Sequence, residues 1–211
     1  MREFKIPKKP YDEYQVYKKT TIEIKEGVTV LVGCNGAGKS TLLGFIKDQL
    51  KESDIPVTSF NNYSQGGTSS IDKCMFHGDT ATAASMMMAS EGERIYMNIG
   101  LMASRLKKFF DKESKEYWIL LDAIGSGMSI DAIIEIRNFF LQIVDELKKK
   151  GKNLYIVIST NEYEFCVGGT NTFDVQEGKY VKILDYEGYR KFILKTRKQK
   201  DKFMDIEKEE E

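Results

Sequence analysis

A glycine-rich stretch at residues 33–40, GCNGAGKS, constrains the fold of this 211-residue chain more than any other part of its sequence. It matches the pattern GxxxxGK[ST], in which successive backbone N–H groups and a helix N-terminus face phosphate oxygens. The apolar run GVTVLVG precedes it, and KSTLLGFIKDQLKE, with leucine and isoleucine at helical spacing, follows it. This order predicts a phosphate-binding loop between a buried strand and a helix.

The polar residues of this loop have distinct predicted roles. Lys39 is expected to reach the β- and γ-phosphates of a nucleotide, the Ser40 hydroxyl to ligate Mg²⁺, and Thr41 to contact the α-phosphate. The sequence therefore predicts a nucleotide and Mg²⁺ as ligands. The residues expected to surround the phosphates are Gly33, Asn35, Gly36, Ala37, Gly38, Lys39, Ser40 and Thr41.

Two more continuous apolar runs predict buried strands, namely YWILLD, which ends at Asp122, and LYIVIST at residues 154–160. Helical patterns occur at about residues 92–110 and 130–150. Apolar strands separated by helices form parallel sheets that are covered on both faces. We therefore expect an α/β fold of the P-loop NTPase type with a mostly parallel sheet. Asp122, at the carboxyl edge of that sheet, is expected to hold Mg²⁺ opposite Ser40.

The chain is predicted to form one domain, residues 1–190, followed by a charged C-terminal extension, residues 191–211. The other expected elements are strands at 20–26 and 56–60, a loop-rich lobe at 61–85, a hairpin that turns at Glu177 and Gly178, and a helical tail from Tyr186.

Three further stretches resemble parts of the ABC ATPase superfamily. ASEGER, at residues 89–94, is similar to the family signature LSGGQ, and SGMS, at residues 126–129, lies in the place of the D-loop. VISTNEYEF lies in the place of the strand that carries the switch histidine. The phosphate loop and ASEGER are separated by few residues. In this respect the chain resembles small stand-alone ABC-type proteins of low-GC bacteria and their phages.

The resemblance implies that the nucleotide is ATP and that the chain forms a homodimer with composite sites. Ser90 and Gly92 of one protomer would close over the γ-phosphate held by Lys39 of the other, so that nucleotide state switches a partner process. Asn161, or Thr160 if the strand shifts by one residue, would take the switch position, and Gln65 the position of a glutamine that joins Mg²⁺. The biological processes that the resemblance implies are DNA metabolism and phage–host conflict. A helix that begins at a Ser90 cap is an alternative reading of ASEGER.

The residue after Asp122 departs from the ABC pattern. The family has a glutamate there that polarises the attacking water, whereas this chain has Ala123. Three explanations remain open: a natural slow ATPase or ATP-gated switch, hydrolysis through a displaced carboxylate such as Asp131 or Glu162, and an engineered alanine. Alternative functions are a non-hydrolysing regulatory module, a transporter ATPase subunit and a nucleotide kinase.

Charge and apolar content limit the partners. Lys plus Arg and Asp plus Glu each number 32, so the formal net charge is zero and gives no support to nucleic-acid binding. Binding of nucleic acid through a local charged patch stays open as an alternative. No apolar run reaches the length of a membrane span, and the three cysteines are widely spaced. We therefore expect a cytoplasmic protein with ATP, a second copy of itself and a protein partner as its binding partners.

Overall fold

The computed structural model describes residues 1–9, 15–61, 106, 108–126 and 128–208, with the side chains of residues 203–208 excepted. The loop-rich lobe expected at 61–85 and most of the helix expected at 92–110 lie outside these residues. The strands and helices are β1 Arg2–Lys5, β2 Thr21–Ile24, β3 Gly27–Val32, α1 Lys39–Glu52, β4 Val57–Asn61, β5 Glu116–Asp122, α2 Ile130–Lys149, β6 Asn153–Ser159, a 3₁₀ turn Tyr163–Cys166, β7 Asn171–Asp174, β8 Lys179–Val181 and α3 Tyr186–Lys208.

Within the described residues, six strands form the main sheet, in the order β4-β5-β6-β3-β7-β8. The first five in this order pair in parallel, and only β8 pairs antiparallel, with β7. The expected mostly parallel α/β sheet is therefore confirmed. The hairpin is also confirmed, because β7 and β8 flank the turn that contains Gly178.

The strand β1 was not predicted from the sequence. It pairs antiparallel with β2 in a separate two-stranded sheet, in which Phe4 lies opposite Ile22. Phe4 is buried and meets Trp118 edge to face, with ring centroids 5.2 Å apart. The small sheet therefore covers one face of the main sheet.

Helices cover the two faces of the main sheet because its strands are apolar on both sides. On one face, Ile133, Ile136 and Phe140 of α2 pack on β3, β5 and β6. On the other, Leu42 and Ile46 of α1 pack against the opposite side of the same strands. Each fully buried side chain of this size contributes roughly 2 kcal/mol through removal of apolar surface from water. Packing on both faces thus holds the central strands in place.

The carboxyl ends of the central strands meet at one edge of the sheet. Asn61 at the end of β4 lies opposite Asp122 at the end of β5, and Asp122 lies opposite Ser159 at the end of β6. The loop after β3 emerges at the same edge, because Leu31 also pairs with Ser159. Ligands of open parallel sheets bind at this kind of edge. Among the described residues, no helix is both long and apolar enough to cross a membrane.

Candidate nucleotide-binding site

The loop between β3 and α1 takes a conformation that depends on glycine at Gly38. Its φ is 85°, in the left-handed region, and a Cβ there would lie 2.5 Å from Val16 Cγ1 and 2.7 Å from the Tyr17 hydroxyl oxygen. The Tyr17 hydroxyl donates a hydrogen bond of 2.8 Å to the Gly38 carbonyl. Residues 16 and 17 therefore press directly on the end of the loop, and only glycine fits there.

Tyr17 supports the loop and does not present its ring to the pocket. The side chain is buried, and its hydroxyl is the group that touches Gly38. Tyr17 therefore acts as a packing residue. Tyr11 and Tyr14, which precede the loop in the sequence, lie outside the described residues.

Lys39 curls back over the loop that precedes it. Its Nζ donates to the carbonyl oxygens of Gly33 at 2.8 Å and of Cys34 at 3.2 Å. Burial lowers the pKa of the Lys39 ammonium, while the nearby Cys34 and Asp122 act in the opposite direction. In the part of the chain that the structure describes, the hydrogen bonds of this ammonium go to neutral carbonyls. A partly buried cation in this position favours an anionic ligand, because the anion replaces part of the lost hydration.

Ser40 and Asp122 meet as the sequence predicts. Ser40 Oγ donates to Asp122 Oδ1 at 2.9 Å, so an alcohol and a carboxylate oxygen lie side by side at the N-terminus of α1. Oxygen ligands of this kind suit Mg²⁺, which usually takes one or two protein oxygens together with phosphate and water. The residues present therefore fit a Mg²⁺–nucleotide complex.

Asn61 is a residue of this site that sequence reasoning missed. Its Nδ2 donates to the second carboxylate oxygen of Asp122, Oδ2, at 2.9 Å. The hydrogen bonds from Ser40 and Asn61 together hold the carboxylate at the edge of the sheet. The available signal was the position of Asn61 directly after the strand predicted at residues 56–60. The glutamine expected to join Mg²⁺, Gln65, lies outside the described residues.

Asn161, expected at the switch position, contacts the phosphate loop directly. Its Nδ2 donates to Asn35 Oδ1 at 2.9 Å, and its backbone carbonyl accepts a hydrogen bond of 2.8 Å from the Tyr189 hydroxyl. Both asparagine side chains are exposed at the rim. Asn161 is therefore placed within reach of a ligand on the loop, and α3 fixes its backbone.

These residues enclose a pocket of about 300 Å³. The loop, the turn after β5 and the end of β6 contribute its walls. The lining consists of Val16, Asn35, Gly36, Ala37, Gly38, Lys39, Ser40, Thr41, Asp122, Ala123, Ile124, Ser126, Ser159, Thr160, Asn161 and Glu162.

The two carboxylates considered as a displaced base lie in different places. Glu162 lines the pocket, whereas Asp131 is fully exposed in the first turn of α2 and does not line it. Burial, and secondarily the charge of Glu164, raises the pKa of the Glu162 carboxyl. Hydrogen bonding from Ser129 lowers the pKa of Asp131 instead. Glu162 is therefore the better placed of the two within one chain.

Ala123 has an unusual backbone as well as an unusual side chain. Its φ is 55°, and it is one of two non-glycine residues in the left-handed region among those described. The turn after β5 brings Gly125 so close to Glu162 that a Cβ on Gly125 would lie 2.9 Å from Glu162 Cγ. The chain thus turns sharply after Asp122, and Glu162 lies against Gly125 of this turn, in the pocket that Ala123 also lines.

Ser90 and Gly92, which the resemblance places opposite the γ-phosphate, lie outside the described residues. Comparison with protein families gave a match of residues 12–211 to the family model described as an AAA domain. Because the match covers nearly the whole sequence, the chain belongs to this family, whose members generally bind and hydrolyse nucleotides. Comparison with curated proteins gave no match.

Proposed function

We propose that this member of the AAA domain family binds ATP and Mg²⁺ in the pocket at the carboxyl edge of the sheet and uses the bound nucleotide as a switch. The observation that carries the proposal is the hydrogen bond between Ser40 and Asp122 beside the Lys39 ammonium. It brings an alcohol, a carboxylate and a cation together at the N-terminus of α1. A nucleoside triphosphate with its metal needs these three groups at one place.

The residues of the pocket have different roles in the proposed binding of the nucleotide and its metal. The N–H groups of the loop and the N-terminus of α1 face the phosphates, and Lys39 exchanges its two carbonyl partners for the β- and γ-phosphate oxygens. Ser40 and Asp122 hold Mg²⁺, and Asn61 keeps the Asp122 carboxylate in place. Mg²⁺, when bound, neutralises charge that develops on the phosphates during transfer.

Hydrolysis is proposed to be slow, with Glu162 as the group that orients the attacking water. Ala123 has no acceptor atom with which to do this. Glu162 lines the same pocket, its Cγ lies against the turn after β5, and its raised pKa brings it nearer to neutral pH, where a general base works best. The competing function is a nucleotide-binding module with no turnover, and Ala123 is the feature that favours it.

The proposed switch is a homodimer that closes around ATP. The ABC resemblance puts Ser90 and Gly92 of a partner over the γ-phosphate, and Asn35 and Asn161 are exposed at the rim of the pocket where a second copy would approach. In the closed state the partner would complete the site that one chain leaves open. A protein partner that distinguishes the closed dimer from the monomer, in DNA metabolism or phage–host conflict, completes the proposal.

The dimer is tested by measuring mass with light scattering in the presence of Mg²⁺ and a non-hydrolysable ATP analogue. We expect twice the monomer mass with the analogue and the monomer mass with ADP or no nucleotide. Ser90→Arg should keep nucleotide affinity but stay monomeric, because a bulky cation would block the composite site. Ser85→Arg, in the same segment, is the matched control and should dimerise. A monomeric wild type at saturating analogue would contradict the dimer while leaving ATP binding intact.

A further inference from the structure

The C-terminal helix α3 lies against the phosphate loop, although the two are far apart in the sequence. Among the described side chains of α3, three make hydrogen bonds there or to the neighbouring loop after β6: Tyr189, Thr196 and Lys200. We propose that Thr196 and Lys200 are positioning residues of the nucleotide site, which hold the first half of the phosphate loop in its binding conformation. This inference rests on the proposed function, because it assigns the loop a nucleotide.

Thr196 supplies the only acceptor that the structure describes for the Cys34 backbone N–H, through a hydrogen bond of 3.0 Å to its Oγ1. The Thr196 hydroxyl in turn donates to the Ile193 carbonyl at 2.8 Å, so its lone pairs are directed at Cys34. Thr196 is 1% exposed, and Cys34 is also buried. Water therefore cannot replace this acceptor, and the second residue of the loop is fixed by α3.

Lys200 lies over the next peptide of the loop. Its Nζ donates to the Asn35 carbonyl at 3.3 Å and lies 2.6 Å from the place that a Cβ on Gly36 would occupy. A cation at the carbonyl polarises the Asn35–Gly36 peptide and makes the Gly36 N–H a stronger donor. Gly36 lines the pocket, so a stronger donor at this residue favours an anionic ligand there. Lys200 therefore increases the affinity of the loop for an anion without lining the pocket itself.

Tyr189 extends the contact to the opposite wall of the pocket. Its hydroxyl donates to the Asn161 carbonyl, and Asn161 donates to the Asn35 side chain. One helix thus touches both loops that border the pocket, while none of its described residues lines it. By linkage, a nucleotide that orders the loop must also stabilise α3, and loss of the α3 contacts must weaken nucleotide binding.

The test compares four variants of the full chain by their dissociation constants for ATP·Mg²⁺ and by their unfolding temperatures without nucleotide. Thr196→Val keeps the shape of the side chain and removes the acceptor, and Thr196→Ser restores the hydroxyl. Lys200→Met keeps the apolar stem and removes the charge, and Lys198→Met, exposed on the same helix, is its matched control. We expect Thr196→Val and Lys200→Met each to weaken ATP binding about tenfold, the effect of one net hydrogen bond.

The control variants, the unfolding temperatures and amide hydrogen exchange separate positioning from a general loss of stability. Thr196→Ser and Lys198→Met should bind ATP like the wild type, and Lys200→Met should unfold at the wild-type temperature. In the wild type, ATP·Mg²⁺ should slow amide hydrogen exchange in residues 189–200. Wild-type affinity in both Thr196→Val and Lys200→Met would overturn the inference and leave ATP binding standing. Equal losses in Lys200→Met and Lys198→Met would also overturn it. A wild type that binds no ATP would instead overturn the proposed function, and the inference with it.

Discussion

Replacement of Lys39 by alanine is expected to weaken ATP·Mg²⁺ binding at least about a hundredfold. Lys39 carries the ammonium that lies over the loop, and charge-assisted hydrogen bonds contribute roughly 1.5–3 kcal/mol each. Loss of two such bonds to phosphate accounts for this factor. Isothermal titration or fluorescence of a labelled nucleotide measures it directly.

The control for this change is Lys51→Ala, which removes an exposed lysine from the last turn of the same helix. It should bind ATP as the wild type does, because Lys51 is at the opposite end of α1 from the loop. Wild-type affinity in Lys39→Ala, or equal losses in both variants, would contradict the assignment of the phosphate loop.

Replacement of Glu162 by glutamine is expected to reduce phosphate release about 100-fold or more, with little change in ATP affinity. A general base that orients water typically accelerates a reaction by about 10²–10⁴-fold, and an amide cannot accept the proton. Single-turnover release of phosphate, measured beside the dissociation constant, separates the chemical step from binding. Asp131→Asn is the matched control, because Asp131 does not line the pocket. A Glu162→Gln enzyme with unchanged turnover would contradict the role of Glu162.

The pH profile provides an independent readout of the same residue. Burial and the charge of Glu164 raise the pKa of Glu162, and a base acts only when ionised. Turnover should therefore rise with pH through a limb that lies above the ordinary range of a glutamate. Glu164→Gln removes one of the two causes, so this limb should move to lower pH. A limb that stays in place would show that another group controls it.

The segments with the strongest patterns were predicted from the sequence. The continuous apolar runs of β3, β5 and β6 indicate buried parallel strands, and the helix α1 follows from its leucine and isoleucine spacing. Asp122 and Ser40 could be paired in advance because the carboxyl ends of parallel strands share one edge. These features depend on local sequence and on a general rule of sheet topology.

Contacts between distant parts of the chain could not be predicted. The hydrogen bond from Cys34 to Thr196 joins residues separated by 162 positions, and the tail that contains Thr196 has the composition of an ordinary solvated helix. The strand β1 is short and mostly polar, so the sequence does not indicate it. Its pairing with β2 depends on the apolar face of the main sheet that the two strands cover. Periodicity describes which face of an element is buried but not which other element covers it.

The choice between Asp131 and Glu162 also required the structure. Both carboxylates follow strands whose ends meet at the sheet edge, and their spacing from Asp122 and Asn161 does not distinguish them. The turn that contains the left-handed Ala123 brings Gly125 against Glu162, while Asp131 is exposed in the first turn of α2. An alanine with φ of 55° has no clear signature in a sequence.

The central claim is that ATP binds at this pocket as its Mg²⁺ complex. The most direct test is calorimetric titration of the wild-type chain with ATP, first in Mg²⁺ and then in EDTA. We expect one ATP per chain, and binding in Mg²⁺ at least about tenfold tighter than in EDTA, because in this proposal Ser40 and Asp122 would hold the metal. No detectable binding in Mg²⁺, or equal affinity with and without the metal, would contradict the claim.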